Sequence, residues 1–402
     1  MTVQSICEEQ ATGAEVLQAS GSNVRASWIS TAAEFARLGA EWDHLFQRAN
    51  PENAFLSFGW MSTWWKHFGS GQLAVIAVRR SDGRLAAVAP FYIERSFNAL
   101  GARRLGFLGD DRVGSDHLGV LADAELGTAP VQEIARILSV QHRSWDYIEL
   151  RDCAASPLMA TLSAELAGRG MQVIETNPRV CRYIPLPATF EKYLAGIGIS
   201  LRANYRRRWR ALQREHQAEC ITVSGAAELS SHFPALLALH RMRFEQRAAD
   251  SAFLAPRVPE FHAEALRVMA AQGFARMFLL KAGGEIIAAI YGFSVGRTFQ
   301  FYQCGMHPGW VKYGLGQVLI GNAIDQNIAA GQATFDFLRG DESYKTQWAE
   351  QAHANTTLRF FDQRPGSVAA RWGLRTSAAL RGLARKAKAR MIARRGAEKG
   401  DG

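Results

Sequence analysis

The sequence predicts a two-domain α/β protein built on mixed sheets, and three observations carry that prediction. At 402 residues the chain exceeds one ordinary domain. With 48% apolar and 21% charged residues it can bury substantial cores, a globular rather than a disordered composition. A hairpin–helix–strand order also occurs twice, roughly two hundred residues apart, which points to two copies of one architecture rather than a solenoid.

Residues 1–22 are small and polar without a period and read as a flexible leader. A first domain, 23–185, opens with a strand at 24–29. Thr31, with Glu34 three residues on, caps a helix whose apolar positions are Phe35, Leu38, Trp42 and Leu45. Phe55, Phe58, Trp60, Trp64 and Trp65 follow in an aromatic-rich short helix. Strands at 73–78 and 85–92 flank the turn Ser81-Asp82-Gly83. A strand near 117–121, a helix at 125–140, a strand at 146–150, a helix at 157–169 and a strand at 171–175 complete the unit.

A second domain, 186–365, begins with helices at 189–195, 200–217, 226–247 and 258–272. Strands at 275–281, 285–295 and 298–305 come next, the first two joined by Ala282-Gly283-Gly284. A helix at 315–330, a strand at 334–338 and a last strand near 358–361 end it. Residues 366–402 form a basic helical tail: ten Lys or Arg against two acidic residues give it +8 of the net +10. The body is therefore almost neutral. Trp372, Ala379, Leu383, Ala387 and Met391 recur near helical spacing in that tail, and two readings compete, a solvated terminal helix or a weak contact with anionic lipid.

The five cysteines are scattered, and no pair has C-x-x-C spacing, which fits a reducing compartment. The N-terminus has no basic start followed by an apolar core, and no apolar run reaches the roughly 18–20 residues of a spanning helix. The expected location is cytoplasmic, at most peripheral at the inner face of the membrane. His232, His240, His262 and His307 show no metal-ligand spacing, so no metal is expected.

Chemistry concentrates in residues 298–348. They read as a strand, a glycine-bearing loop, a helix, and a strand ending in a polar turn. Gly314 and Gly316 stand where the loop enters the helix; there the backbone can approach a ligand closely, and the first free N–H groups of the helix can hold phosphate oxygens. A plain helix start with two permissive glycines is the competing reading. The wider pattern is Gly314-x-Gly316 through Phe335-Asp336-Phe337 to Gly340-Asp341-Glu342-x-Tyr344-Lys345-x-x-Trp348. With the Trp42-x-x-Leu45 helix, the Phe58-x-Trp60 stretch and the basic helix at 200–214, it resembles the GNAT superfamily of N-acyltransferases. The likeness is specifically to its CelD-like and FemAB-like branch of two tandem GNAT folds, and it covers roughly residues 24–362.

That resemblance implies acyl-CoA, acetyl-CoA included, as co-substrate, held by Tyr302, Gln303, Cys304, Lys312, Tyr313, Gly314, Leu315, Gly316 and Gln317. It also implies that backbone amides near Tyr302–Cys304 meet the thioester carbonyl, and that Lys345 lies near the donor's phosphates or carbonyl. One departure is Val311, where the superfamily commonly has Gln or Arg; Lys312 is the substitute cation. An amine attacking a thioester must lose a proton and the thiolate must gain one. Asp341 or Glu342 is the candidate acceptor of the first, with a solvated turn or cap as the alternative, and Tyr344 the candidate donor of the second. Cys304 reads as a core residue rather than a nucleophile.

Arg202, Arg206 and Arg210 recur every four residues in the second basic feature, with Arg207 and Arg214 alongside. Such a row suits a polyanionic partner or a solvated face. By resemblance it lies at the acceptor cleft and binds phosphates of a nucleotide- or lipid-linked acceptor, with His117 a candidate lining residue. The leading reading is acyl transfer to an amine of a sugar, peptide or envelope-polysaccharide precursor. Aminoacyl transfer from tRNA, as in FemAB relatives, is the second reading. A nucleic-acid-binding or scaffold protein is the third; the near-neutral body and the absence of a nucleic-acid motif weigh against it, and no specific nucleic acid is expected.

Overall fold

The computed structural model describes residues 16–17, 24–110, 112–246 and 250–397, with side chains for all of these except 16–17 and 384–397. The first half runs β1 (Val16–Leu17), β2 (Val24–Ile29), α1 (Ala32–Arg37), α2 (Gly39–Ala49), α3 (Phe58–Phe68), β3 (Gln72–Leu73), β4 (Val75–Arg80), β5 (Leu85–Ala89), β6 (Phe91–Ser96), β7 (Ala102–Phe107), β8 (Leu121–Ala122), α4 (Ala129–Val140), β9 (Tyr147–Ala154), α5 (Pro157–Gly168) and β10 (Gln172–Pro185). The second runs α6 (Phe190–Gly196), α7 (Ile199–His216), β11 (Glu219–Val223), α8 (Ala226–Gln246), α9 (Val258–Ala271), β12 (Ala275–Ala282), β13 (Glu285–Val295), β14 (Thr298–Met306), α10 (Leu315–Ala329), β15 (Thr334–Arg339), α11 (Ser343–Trp348) and β16 (Gln351–Phe361), followed by α12 (Pro365–Ala397).

Local chemistry accounts for many boundaries. The Thr31 hydroxyl accepts the Glu34 N–H at 3.2 Å while the Glu34 carboxylate takes the Thr31 N–H at 3.4 Å, a reciprocal cap. The helix expected from it is interrupted at Leu38 and continues as α2. Gly83, at φ +86, makes the β4–β5 turn. The strand expected over 85–92 is cut at Pro90, which has no N–H to give a ladder, and β5 and β6 pair in different sheets. At 117–120 no ladder forms; a single backbone bridge from Leu118 to Cys153 and the Asn53 side chain, which donates to the Asp116 and His117 carbonyls, hold that segment. Part of the expected leader is ordered, since Val16 and Leu17 pair with Ser27 and Ala26; the rest lies outside the described residues.

The small sheet has the order β1-β2-β4-β5-β8, and the large one β11-β12-β13-β14-β15-β10-β16-β9-β7-β6-β3. Two strand pairs in the large sheet are parallel, β14 with β15 and β7 with β9, at corresponding places in the two halves. The closing strands are exchanged. β10 ends the first half yet pairs with β15, and β16 ends the second yet pairs with β9. Neither half completes its sheet alone, so one continuous sheet runs through both. Aromatic packing reinforces the seam: Phe55 and Trp60 of the first half meet Phe293 edge-on at 5.7 and 5.4 Å, and Trp60 meets Phe261 at 5.0 Å.

Candidate active site

β14 and β15 are hydrogen-bonded partners over Thr298–Gln300 and Thr334–Asp336 and then diverge. The cause lies in β15. Leu338 adopts φ +55, and the Asp336 carboxylate accepts its N–H at 2.7 Å, which turns the strand aside. β14 stays with β13 as far as Met306, so a wedge opens between two parallel strands.

On one side of the wedge lies a cavity of about 370 Å³, lined among others by Met306, Trp310, Gly314, Gly316 and Gln317. Gly314, at φ +57, is the N-cap of α10, and the first N–H groups of that helix face no partner within it. The Arg208 guanidinium from α7 lies against Gly314 and donates to the Gln317 side-chain oxygen. Its Nε is buried with no acceptor. Leu315 and Cys304 also line this cavity. Lys312 does not; its ammonium lies 4.7 Å over the Tyr313 ring. Tyr313 is held behind the loop, its hydroxyl 2.8 Å from Glu215 and 2.6 Å from His216.

A second cavity, about 450 Å³, lies on the other side, between the halves. Val113, Gly114 and Asp116 of the first half face Tyr302, Gln303, Arg339, Glu342 and Lys345 of the second. Arg243, Phe301, Cys304 and Tyr344 line both cavities, so the two meet at the wedge. Cys304 is the hub. Its N–H reaches the Gln303 side-chain oxygen at 3.2 Å, its carbonyl accepts from His240 Nδ1 at 2.8 Å, and its sulfur accepts from Arg243 at 2.8 Å. Burial pushes the Cys304 thiol up, more than Arg243 pulls it down, which keeps it protonated and suits a packing residue. Burial likewise holds the Tyr344 phenol well above the ordinary tyrosine range.

Residues 200–346 match the family model described as an acetyltransferase (GNAT) domain. The chain carries a GNAT domain. No curated protein matches its sequence. The fold across both halves is similar to that of FemX, at 11% identity over 80% of this chain and 95% of that one, with a TM-score of 0.59. It is also similar to the C-terminal domain of a protein named as a lysylphosphatidylglycerol synthetase from Agrobacterium fabrum. There the identity is 9% over 85% of this chain and 96% of that one, and the TM-score 0.52. Both halves together thus share a FemX-like fold, and the matched stretch within it is of the GNAT acyltransferase type.

Around the GNAT wedge the expected residues divide. Gly314, Leu315, Gly316, Gln317 and Cys304 gather at the glycine-loop cavity, whereas Tyr302 and Gln303 face the cavity between halves. Tyr302 donates to the Val113 carbonyl and lies 3.2 Å from His262 Nε2. His262 is fully buried, which pushes its pKa down to about 3, so it is neutral. Lys345 lines the cavity between halves and not that of the loop; its buried ammonium donates to the Arg339 carbonyl at 2.8 Å and pairs with Glu342 at 3.0 Å, tying down the end of β15. Asp341 points away, with 75% of its side chain exposed and Arg182 3.8 Å off.

The arginine row is also placed differently from the expectation. α7 runs beside the glycine loop, and none of Arg202, Arg206 or Arg210 lines the cavity between halves. Arg206 pairs with Glu191 on the surface, and Arg202 reaches the Leu194 carbonyl at 3.4 Å. An Arg206→Ala change should therefore alter the unfolding free energy, measured by urea titration, by less than about 0.5 kcal/mol. His117 does not line that cavity either. At φ +53 it bridges the halves, with Nε2 2.8 Å from Asp336 and Nδ1 2.8 Å from Asn355 Oδ1.

His117, Cys181 and His353 bring candidate metal-ligand atoms within 4.8 Å of one another. Asn355 Nδ2 donates to Asp116 at 3.1 Å, which fixes the amide so that its oxygen faces His117. His117 then donates from both ring nitrogens and has no lone pair for a metal. Sequence reasoning missed Arg208, which lies beside the glycine loop, and Arg243, which lines both cavities.

Proposed function

We propose that the protein transfers an acyl group from acyl-CoA, acetyl-CoA being the simplest, to an amine of a sugar, peptide or envelope-polysaccharide precursor in the cytoplasm. The observation that carries this reading is the meeting of the two cavities at Cys304, with a glycine-capped helix start and Arg208 at the outer end of one. Arg208 and Arg243 each bury an Nε without an acceptor, and Arg243 has no carboxylate partner among the described residues. Both side chains are half-buried, and a guanidinium with a buried N–H left so is costly until an anion meets it, which suits a phosphate-bearing donor. Arg208 also fills the role left open by Val311, a cation over the loop.

In this reading the amine enters from the cavity between halves. The Cys304 N–H turns to the thioester carbonyl, and Arg243 stabilises the oxygen as charge develops on it. The amine nitrogen forms the amide bond as the carbon–sulfur bond breaks; Glu342, directly or through water, takes the amine proton, and Tyr344 protonates the departing thiolate. The first half supplies a wall rather than a second donor site. Its own parallel pair, β7 and β9, is followed by Leu118, whose N–H and carbonyl bond Asp152 and Ala154 where a donor would lie.

Calorimetric titration with acetyl-CoA and longer acyl-CoAs tests the donor assignment. Binding by the wild type and its loss in Gly316→Glu are expected; no binding by any acyl-CoA, together with no effect of Gly316→Glu, sinks it. Tyr344→Phe should lower kcat about tenfold to a hundredfold while leaving donor affinity within about twofold. The FemX-like fold favours one alternative, an aminoacyl-tRNA donor. Retained tRNA in a pull-down, lost on ribonuclease treatment, with no acyl-CoA affinity, would select it.

A further inference from the structure

A face formed by α12 and the β6–β7 turn has no part in acyl transfer. Ten large apolar side chains are strongly exposed among the described residues, and six of them are here: Phe97 (99%), Leu100 (75%), Val368 (42%), Trp372 (61%), Leu380 (66%) and Leu383 (63%). Phe97 and Leu100 stand on the short turn between β6 and β7, where Leu100 adopts φ +55. The turn and helix form one unit. Gly373 packs against Ala99 and Leu100 so closely that a Cβ there would lie 2.9 Å from Leu100 Cγ. Ser377 donates to the Asn98 carbonyl at 2.9 Å and Arg381 to the Asn98 side chain at 2.8 Å.

At about 100° per residue, Val368, Trp372 and Leu383 fall on one side of α12, with Leu380 beside them and Ala370 on the buried side. Arg375 is exposed beside that stripe, Arg381 is exposed on the side of α12 that meets the turn, and Arg95 is exposed at the foot of the turn. Residues 366–402 carry ten Lys or Arg against two acidic residues.

We propose that this face docks on an anionic lipid surface, with Phe97, Leu100 and Trp372 entering the interface and the cations meeting the headgroups. Exposed apolar groups amid like cations suit that occupant on both counts. A nucleic acid would account for the charge and leave a wholly exposed Phe97 without a role; a protein partner would account for the apolar groups and leave the +8 unused. No helix among the described residues is long and apolar enough to cross a membrane, so the contact is with the surface. The proposal does not depend on the acyl-transfer reading.

Flotation of the full chain with vesicles of equal parts phosphatidylcholine and phosphatidylglycerol tests it, against phosphatidylcholine alone. The wild type should float with the first and not the second, and raised salt should weaken binding. A Phe97→Glu/Trp372→Glu double variant should lose at least about tenfold in bound fraction with its circular dichroism and melting temperature unchanged. Both residues are exposed, and Phe97→Ala/Trp372→Ala checks the result without added charge. Equal binding to neutral vesicles, undiminished binding by both variants, or binding abolished by nuclease would overturn the proposal. So would self-association that both variants abolish in a protein that never floats.

Discussion

Replacing Arg208 with glutamate should raise the Kd for acyl-CoA several hundred-fold, about 3–4 kcal/mol, from the loss of a charge-assisted contact and the arrival of a like charge. The expectation follows from place rather than from charge count. Arg208 is the cation lying against Gly314, and it holds the Gln317 side chain at the start of α10. Arg208→Lys keeps a charge on a shorter hold and should cost about tenfold. Arg206→Glu, two residues away and paired outward with Glu191, should leave Kd within about twofold. Calorimetry on the three variants, with melting curves to confirm folding, separates the outcomes. If Arg206→Glu weakens binding as much as Arg208→Glu, general electrostatics act and the loop is not the phosphate site.

Arg208 also shows what was legible in the sequence and what was not. Counting arginines every four residues selects Arg202, Arg206 and Arg210, a row facing largely outward. The buried residues of the same helix are Leu201, Tyr205 and Leu212. Position 208 completes their spacing of four, three and four, so the informative arginine is the one on the apolar stripe, where a charge must have a reason to be. Arg243 had a weaker signal, since α8 is amphipathic only loosely and contains Pro234.

In the second half β12 to β15 were legible because they are apolar and their turns carry glycine, whereas β11, a short and mostly half-exposed edge strand, was missed. β10 and β16 were visible only at their ends. β10 bulges between Thr176 and Arg179, where Asn177 at φ +53 precedes Pro178, and β16 begins with Gln351-Ala352-His353-Ala354-Asn355, which has no large apolar residue; both lie inside the sheet where a partner strand, not a hydrophobic period, defines them. Their exchange between halves is a non-local fact with no local signature. So is the wedge, which depends on a left-handed Leu338 that Asp336 holds from two residues away.

His117→Leu should destabilise the protein by about 3–5 kcal/mol, because it leaves Asp336 buried without its cation. The pair joins the first half to β15, so the loss should appear in a global unfolding transition. Asp336 and Asp116 raise the His117 pKa to about 9 against the desolvation that opposes them, and Asp336 is held below the ordinary carboxylate range. A histidine near 6.5 when unfolded and near 9 when folded contributes fully below about 6.5 and loses that contribution as pH rises toward 9, roughly 3 kcal/mol in all. Stability measured by urea unfolding should therefore fall between about pH 6.5 and 8.5 in the wild type and run flat in His117→Gln. That window isolates His117. His240, His262 and His353 are all pushed below their usual value and act below pH 6.5 with the opposite sign. The buried thiols begin to matter only above about pH 8.5, where they ionise in the unfolded chain. A slope of equal size in His117→Gln would mean that His117 is neutral in the fold. Its two acceptors, Asp336 and an Asn355 oxygen fixed by Asp116, would then lack the second proton that the geometry requires.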